Sequence, residues 1–348
     1  MLINLIVVDT VKKRARVVLK QADKRLDITI NSHILILIKI PSISKPERQE
    51  KAGGDCMIID GVFSGGGIKG FALIGAYQAI EEKGYSFARL AGTSAGSIIA
   101  AFIAAGYTSK EIINLLDEVD LVEFLETGIW EFSFLKWVKV YLKLGLYKAD
   151  KLEEWLEKSL AAKGVRTFSD LPPDGLKVIA SDLTNGRLLV LPDDLLNYKI
   201  DPRSFSVARA VRMSCSIPYF FEPTKLRSPD GKAVIVDGGV LSNFPMWLFD
   251  KDEKKPRPVL GIKLSPQQSE MPKRKINNAL EMFNALFQTM KDAHDNRYIS
   301  RKHEKNIVFI PTAGIAATDF NLSDQKKDAL VEAGRKQTDS FLERWCYT

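Results

Sequence analysis

Residues 57–105 read MIIDGVFSGGGIKGFALIGAYQAIEEKGYSFARLAGTSAGSIIAAFIAA, and the punctuation of that stretch decides the fold. Two apolar runs, Met57 to Phe63 and Phe87 to Ala91, have the length and composition of strands. Each ends in a glycine-rich turn, and each turn opens an apolar, Ala-rich stretch of helical length. The first turn is Gly65-Gly66-Gly67-Ile68-Lys69-Gly70 and the second is Gly92-Thr93-Ser94-Ala95-Gly96. Two strand-turn-helix corners therefore fall side by side at one edge of a sheet. The second turn fits G-x-S-x-G, where Gly92 and Gly96 let the backbone turn sharply and lift the Ser94 hydroxyl clear of neighbouring side chains. The first offers bare backbone N–H groups at the positive end of a helix, where a developing oxyanion is stabilised. A nucleophile beside an anion hole implies acyl transfer.

Two other readings of the first turn fail on chemistry. Gly65-x-Gly67-x-x-Gly70 after a strand also fits a dinucleotide fingerprint, but that fold needs an acidic residue about 20 positions on to hold the ribose. Ala91-Gly92-Thr93-Ser94 stands there instead. A phosphate-binding P-loop needs Ser or Thr after its lysine, and Lys69 is followed by Gly70.

Outward from this stretch the pattern alternates strand and helix, as α/β domains do. Further strands are expected at Lys177 to Leu183, Arg187 to Leu191, Ala233 to Val236, Val259 to Leu264 and Ile307 to Ile310. Helices are expected at Ile68 to Lys83, Ala95 to Ala105, Ser109 to Glu118, Ala149 to Ala162, Ser204 to Cys215, Ile276 to His303 and Ser323 to Trp345. Ser109 and Ser323 are the expected caps of theirs. The polar stretch Asp250 to Pro258 is a seam, so 57–250 reads as the core and 251–348 as strands and helices completing the same domain.

Residues 1–56 differ in character, with isoleucine-rich runs at Ile28 to Ile30 and Ile34 to Ile40 and then a charged stretch. They read either as a small β appendage on a linker or as sequence outside the natural protein. Gly53-Gly54-Asp55 can be encoded by GGAGGTGAT, a bacterial ribosome-binding sequence, just upstream of Met57. That makes Met57 a candidate start.

Composition narrows the class. The 348 residues are 45% hydrophobic and 27% charged, values of a globular protein able to bury a large core. Apolar stretches such as Ser97 to Tyr107 fall short of the roughly 20 residues of a membrane-spanning helix. Cys56, Cys215 and Cys346 are odd in number and far apart, which fits a reducing, cytoplasmic compartment. No Cys/His spacing resembles a metal site. The formal net charge of +7 favours anionic partners, and the basic clusters lack the interleaved aromatics of a nucleic-acid module. Charge alone does not choose between a phospholipid surface and nucleic acid.

A serine nucleophile needs a base. His33 lies in the leader, while His294 and His303 sit in highly charged runs that read as solvated helix faces. Asp237 is the better candidate, because it follows the apolar run Ala233 to Val236 and precedes Gly238-Gly239, which projects it from a strand end. A second signal is Ile129 to Tyr147, where aromatics and aliphatics interleave with Lys136, Lys139 and Lys143. A helix there has a broad apolar face and a basic edge, suited to a membrane interface or to capping an acyl pocket, and equally to ordinary core packing.

Together these residues resemble the patatin-like phospholipase family, whose pattern is G-G-G-x-[RK]-G, then G-x-S-x-G, then D-G-[GA]. Gly65 to Gly70, Gly92 to Gly96 and Asp237 to Gly239 match in that order, and Ala208 to Phe221 is similar to the family's helix and Pro turn. The resemblance is firm over residues 60–250. It implies a three-layer α/β/α sandwich with a mainly parallel sheet and a serine acyl hydrolase acting on phospholipid or other acyl-ester lipids. Ser94 would be the nucleophile, Asp237 the general base, and the N–H groups around Gly66 to Ile68 the oxyanion hole. Lys69 replaces an arginine and keeps its charge without its fork geometry. No cofactor is implied. A His-dependent α/β-hydrolase and a non-catalytic lipid-binding protein on the same fold are the alternatives.

Overall fold

The computed structural model describes residues 14–21, 24–31, 57–119, 121–124, 143–229, 231–249, 257–265, 276, 277, 282, 285–287, 289, 290, 295, 304–312, 315 and 317–345. The chain divides into two compact units, Met1–Gly53 and Gly54–Thr348. In the first, β1 (Arg14–Gln21) and β2 (Lys24–Asn31) form an antiparallel hairpin with Arg14 opposite Asn31. The Ile28 to Ile30 run falls in β2; the Ile34 to Ile40 run lies outside the described residues.

The second unit is built on an eight-stranded sheet. Its strands are β3 (Met57–Phe63), β4 (Tyr85–Thr93), β6 (Leu176–Asp182), β7 (Arg187–Leu191), β9 (Thr224–Ser228), β10 (Gly231–Asp237), β11 (Val259–Ser265) and β12 (Ile307–Pro311). The order is β12-β11-β3-β4-β6-β10-β9, with β7 on the free edge of β6. Pairings from β12 through to β6 are all parallel, whereas β7, β9 and β10 join antiparallel. Short strands β5 (Gly145–Tyr147) and β8 (Tyr219–Phe221) pair in a separate parallel ladder.

Alternation along the strands shows that both faces are covered. On β3, Ile59 and Phe63 enter the large core cluster, while Val62 between them packs with Phe244, Met246, Phe249 and Val259 in a second. Leu90 and Ala91 on β4 split the same way. Burial on two faces is why these strands read as unbroken apolar runs. Helices complete the layers: α1 (Phe71–Glu82), α2 (Ala95–Ala104), α3 (Ser109–Asp117), α4 (Asp150–Ala162), α5 (Val207–Ser214) and α6 (Asp324–Leu342). α1 and α6 touch backbone to backbone: a Cβ on Gly334 would stand 1.8 Å from the Ala72 carbonyl oxygen.

Three helix starts differ from expectation. The stretch from Ile68 opens as a 3-10 turn, Gly67–Gly70, before α1 begins. The cap of α3 is Thr108, not Ser109: the Thr108 hydroxyl accepts from the Glu111 N–H while the Glu111 carboxylate takes the Thr108 N–H at 2.8 Å. This reciprocal box satisfies two orphan donors at once, and the Ser109 N–H goes to Glu81 at 2.7 Å. α5 starts at Val207 because Ser206 is extended, with its hydroxyl accepting the Arg209 N–H at 3.1 Å. The helix expected over Ile276 to His303 falls mostly outside the described residues, as do positions 129–142.

Candidate active site

Two parallel neighbours, β3 and β4, deliver the glycine turns to one edge, with Phe63 opposite Gly92. The turns pack directly on each other. A Cβ on Gly65 would lie 3.2 Å from the Ser94 Cβ, and one on Gly70 would lie 3.1 Å from the Ala95 Cβ.

Ser94 sits between β4 and α2 at φ 52°, ψ −127°, a conformation that L-residues rarely adopt and that costs on the order of 1–3 kcal/mol. The strain is held by a full set of bonds. The Ser94 N–H donates to Ser214 Oγ at 2.8 Å, and Ser214 Oγ donates to the Ile179 carbonyl at 2.5 Å. The Ser94 carbonyl accepts from Ser97 Oγ at 2.6 Å and from the Ser97 N–H at 2.8 Å. Gly96 allows the corner to close: a Cβ there would fall 2.4 Å from the Phe63 carbonyl oxygen.

Asp237 arrives from the opposite direction. β6 carries β7 on one edge through residues 178–182, so its other edge must hold both β4 and β10. β4 occupies that edge up to Thr93 opposite Ile179, and antiparallel β10 ends on it with Asp237 opposite Ala180. The two strands thus meet head to head, with Ser94 turning away where Asp237 stops. The Asp237 carboxylate accepts the Gly239 N–H at 2.7 Å, and its own N–H goes to the Ser216 carbonyl at 2.9 Å. Gly238 lies too close to the Ile179 carbonyl for any side chain. Ser94 and Asp237 are both buried, 5% and 2% exposed.

Cys215 touches the same centre. Burial pushes its thiol up to about 12, the Asp237 charge adds to this, and hydrogen bonds with Ser97 and Ser94 oppose it. It is therefore a neutral, packed group at neutral pH. Neither Cys215 nor Ser214 carries a motif, and only the likeness of Ala208 to Phe221 to a family's helix and Pro turn pointed to this segment.

In the first turn, Gly67 has φ +58°, and a Cβ there would stand 2.0 Å from the Ala317 carbonyl oxygen. That same oxygen accepts the Ile68 N–H at 3.0 Å, and the Gly65 N–H goes to the Asn243 carbonyl at 3.0 Å. Among the described residues, no protein partner takes the N–H of Gly66 or Gly67. Lys69 lies in the 3-10 turn. Behind the turn, the Lys263 ammonium pairs with Asp295 at 2.6 Å, and Asn243 Nδ2 donates to the same carboxylate at 3.3 Å. The run containing Asp295 was expected to be a solvated face, yet this residue is buried because its charge has a buried partner.

Beside Ser94 opens a narrow apolar cavity of about 90 Å³, with Ile98, Leu152, Trp155, Ile217, Phe221 and Phe320 among its walls. Ligand pockets commonly measure about 300–1,000 Å³, so this is a slot for a slim chain. Its wall is stiffened by Arg212, a buried guanidinium that donates to the carbonyls of Lys148 (2.5 Å), Ala149 (3.2 Å) and Glu222 (2.9 Å) and to Ser216 Oγ (2.5 Å). Burial lowers its pKa, and nearby charges only partly offset this. His33, His294 and His303 lie outside the described residues. No group of three or more metal-ligating side chains occurs among the described residues, and no described helix is long and apolar enough to cross a membrane.

A family model, Patatin-like phospholipase, matches residues 61–250, more than half of the chain and all three turns. The chain belongs to the patatin-like phospholipase family. A relative, the uncharacterized protein YqhO of Bacillus subtilis (strain 168), is 58% identical over 293 residues, spanning 84% of this chain and 100% of that protein. Triacylglycerol lipase ptl3 of Schizosaccharomyces pombe is 28% identical over 54% of this chain and 38% of its own length. The crystal structure of VipD from Legionella pneumophila superposes with a TM-score of 0.51 at 19% identity, over 82% of this chain and 67% of that one, a likeness of fold. The patatin-like fold and the mixed sheet flanked by helices agree with the three-layer architecture expected from the sequence.

Proposed function

We propose that this protein is a serine acyl hydrolase of lipids, with Ser94 as nucleophile and Asp237 as general base. The observation that carries the reading is the head-to-head meeting of β4 and β10 on one edge of β6, which brings the strained Ser94 backbone and the buried Asp237 to neighbouring rungs. Family membership and the relative whose name gives it as a triacylglycerol lipase support an ester of a fatty acid as substrate. The family's name favours phospholipid.

The chemistry then runs in two halves. Asp237 takes the proton from Ser94 Oγ as the oxygen attacks the ester carbonyl. The carbonyl oxygen becomes an oxyanion between the N–H groups of Gly66 and Gly67, at the head of the turn leading into α1. Ile68 contributes geometry instead of a donor, since its N–H is bonded to Ala317. A well-placed donor of this kind lowers the barrier by about 3 kcal/mol. Collapse breaks the C–O bond, and the proton on Asp237 passes to the leaving alcohol. Water, deprotonated by the same carboxylate, then attacks the acyl-serine; the bond from the acyl carbon to Ser94 Oγ breaks, the proton on Asp237 returns to Oγ, and the fatty acid leaves. The acyl chain lies in the slot beside Ser94.

The test is active-site labelling with a fluorophosphonate together with fatty-acid release from phospholipid vesicles. Wild type should label and release, Ser94→Ala should do neither, and Asp237→Asn should be strongly reduced in both. Folded wild type that neither labels nor releases would overturn the reading and leave a lipid-binding protein. Loss of activity in His294→Ala or His303→Ala, with Asp237→Asn active, would transfer the base to histidine.

A further inference from the structure

We propose that a basic groove next to the acyl slot is a docking site for the phosphate of an anionic phospholipid at a membrane surface. The groove measures about 640 Å³, room for a head group where the slot has none. Lys143, Arg209, Lys225 and Arg227 line it against a single carboxylate, Glu222. β9 is the last strand of the sheet. Its alternation buries Thr224 and Leu226 and leaves Lys225 and Arg227 exposed on one side. Neither of those two cations, nor Lys143, is ion-paired among the described residues; Arg209 is held by Glu153 at 3.3 Å. The phosphate of an anionic phospholipid answers these cations.

A lipid surface is the favoured source because apolar residues rim the site. Leu144, which lines the groove, is 45% exposed, and Tyr219, which sits opposite Gly145 in the β5–β8 ladder, is 40% exposed. Cationic side chains beside exposed apolar ones match the chemistry of an anionic membrane interface. Phe221 walls the slot and Glu222 the groove. Consecutive residues of an extended segment face opposite ways, so the head group held in the groove belongs to a lipid neighbouring the one cleaved. Docking there sets the slot against the membrane. The site rests on the proposed function only for its purpose; binding itself needs no turnover.

The test is co-sedimentation of the full chain carrying Ser94→Ala with phosphatidylcholine vesicles, with and without added phosphatidylglycerol. Partitioning should require phosphatidylglycerol. It should fall about 30-fold in the Lys225→Ala/Arg227→Ala variant, taking about 1 kcal/mol for each cation near an anionic surface. Lys326→Ala/Lys336→Ala on α6 removes the same charge outside the groove and should lose less than about 3-fold. The groove variant with Ser94 intact should keep wild-type urea unfolding and hydrolysis of a short soluble ester. Equal losses in the two double variants, or partitioning indifferent to phosphatidylglycerol, would overturn the proposal. So would thermal stabilisation by glycerol 3-phosphate that depends on Arg227 without vesicle binding, which would assign the groove to a soluble phosphate ester. If wild type hydrolyses no ester while groove-dependent binding persists, the proposed function falls and this site stands.

Discussion

Replacing Ser94 with glycine should leave a more stable protein than replacing it with alanine. Ser94 is held at φ 52°, ψ −127°, and a residue with a Cβ stores on the order of 1–3 kcal/mol there. Ser94→Ala keeps the Cβ and hence the strain; Ser94→Gly removes it. Against that gain stands the wider freedom of glycine in the unfolded chain, roughly 0.5–1 kcal/mol. Both variants lose the same hydroxyl and keep the backbone bonds to Ser214 and Ser97, so these terms cancel in the comparison. The net is about 1 kcal/mol in favour of glycine. Urea unfolding of the two inactive variants, followed by fluorescence, reads this as a higher midpoint for Ser94→Gly at an unchanged slope. A midpoint equal to or below that of Ser94→Ala would mean that the corner is unstrained, and the elbow geometry would be wrong.

Two further outcomes are expected. Gly67→Ala puts a methyl 2.0 Å from the Ala317 carbonyl at a positive φ, displacing the turn, and should lower kcat about 100-fold or more with a much smaller change in KM; unchanged kcat would remove this turn from the reaction. Burial alone would raise the Asp182 pKa, but hydrogen bonds from Tyr198 and Asn185 outweigh it and lower it. A carboxylate held below its unfolded value of roughly 3.9 stabilises the protein above that pH, and the contribution is lost as pH falls through the folded value. Asp182→Asn should therefore be less stable at neutral pH and unfold less steeply with acid below about pH 4, as followed by circular dichroism.

The glycine turns were legible because their constraint is local: bare backbone at two strand ends is written in the residue types themselves. The end of the apolar run at Asp237 was legible too, as the last residue of β10. Features that depend on distant segments were not. Arg212 reads as an ordinary helix cation until Lys148, Ala149 and Glu222 supply its acceptors. Asp295 looks solvated until Lys263 reaches it. The Ile68 N–H looks available until Ala317, far along the chain, claims it. Strands as short as β5 and β8 are too brief to show a period, and at the start of α3 two adjacent hydroxyl residues competed for one cap, with the Thr108–Glu111 spacing deciding it.

β6 works as a ruler for the reacting pair. Because Thr93 and Asp237 are placed by rungs one step apart on the same strand, the separation of the proposed nucleophile and base is stored in backbone hydrogen bonds and not in the side chains around them. Outside Gly92 and Gly238, which have no room for a side chain, substitutions along that edge can accumulate without moving the pair. A single residue inserted between Ile235 and Asp237 would instead advance the carboxylate by about 3.4 Å and turn it to the other face of the sheet. Drift in composition is tolerated at this edge, and a change in count is not.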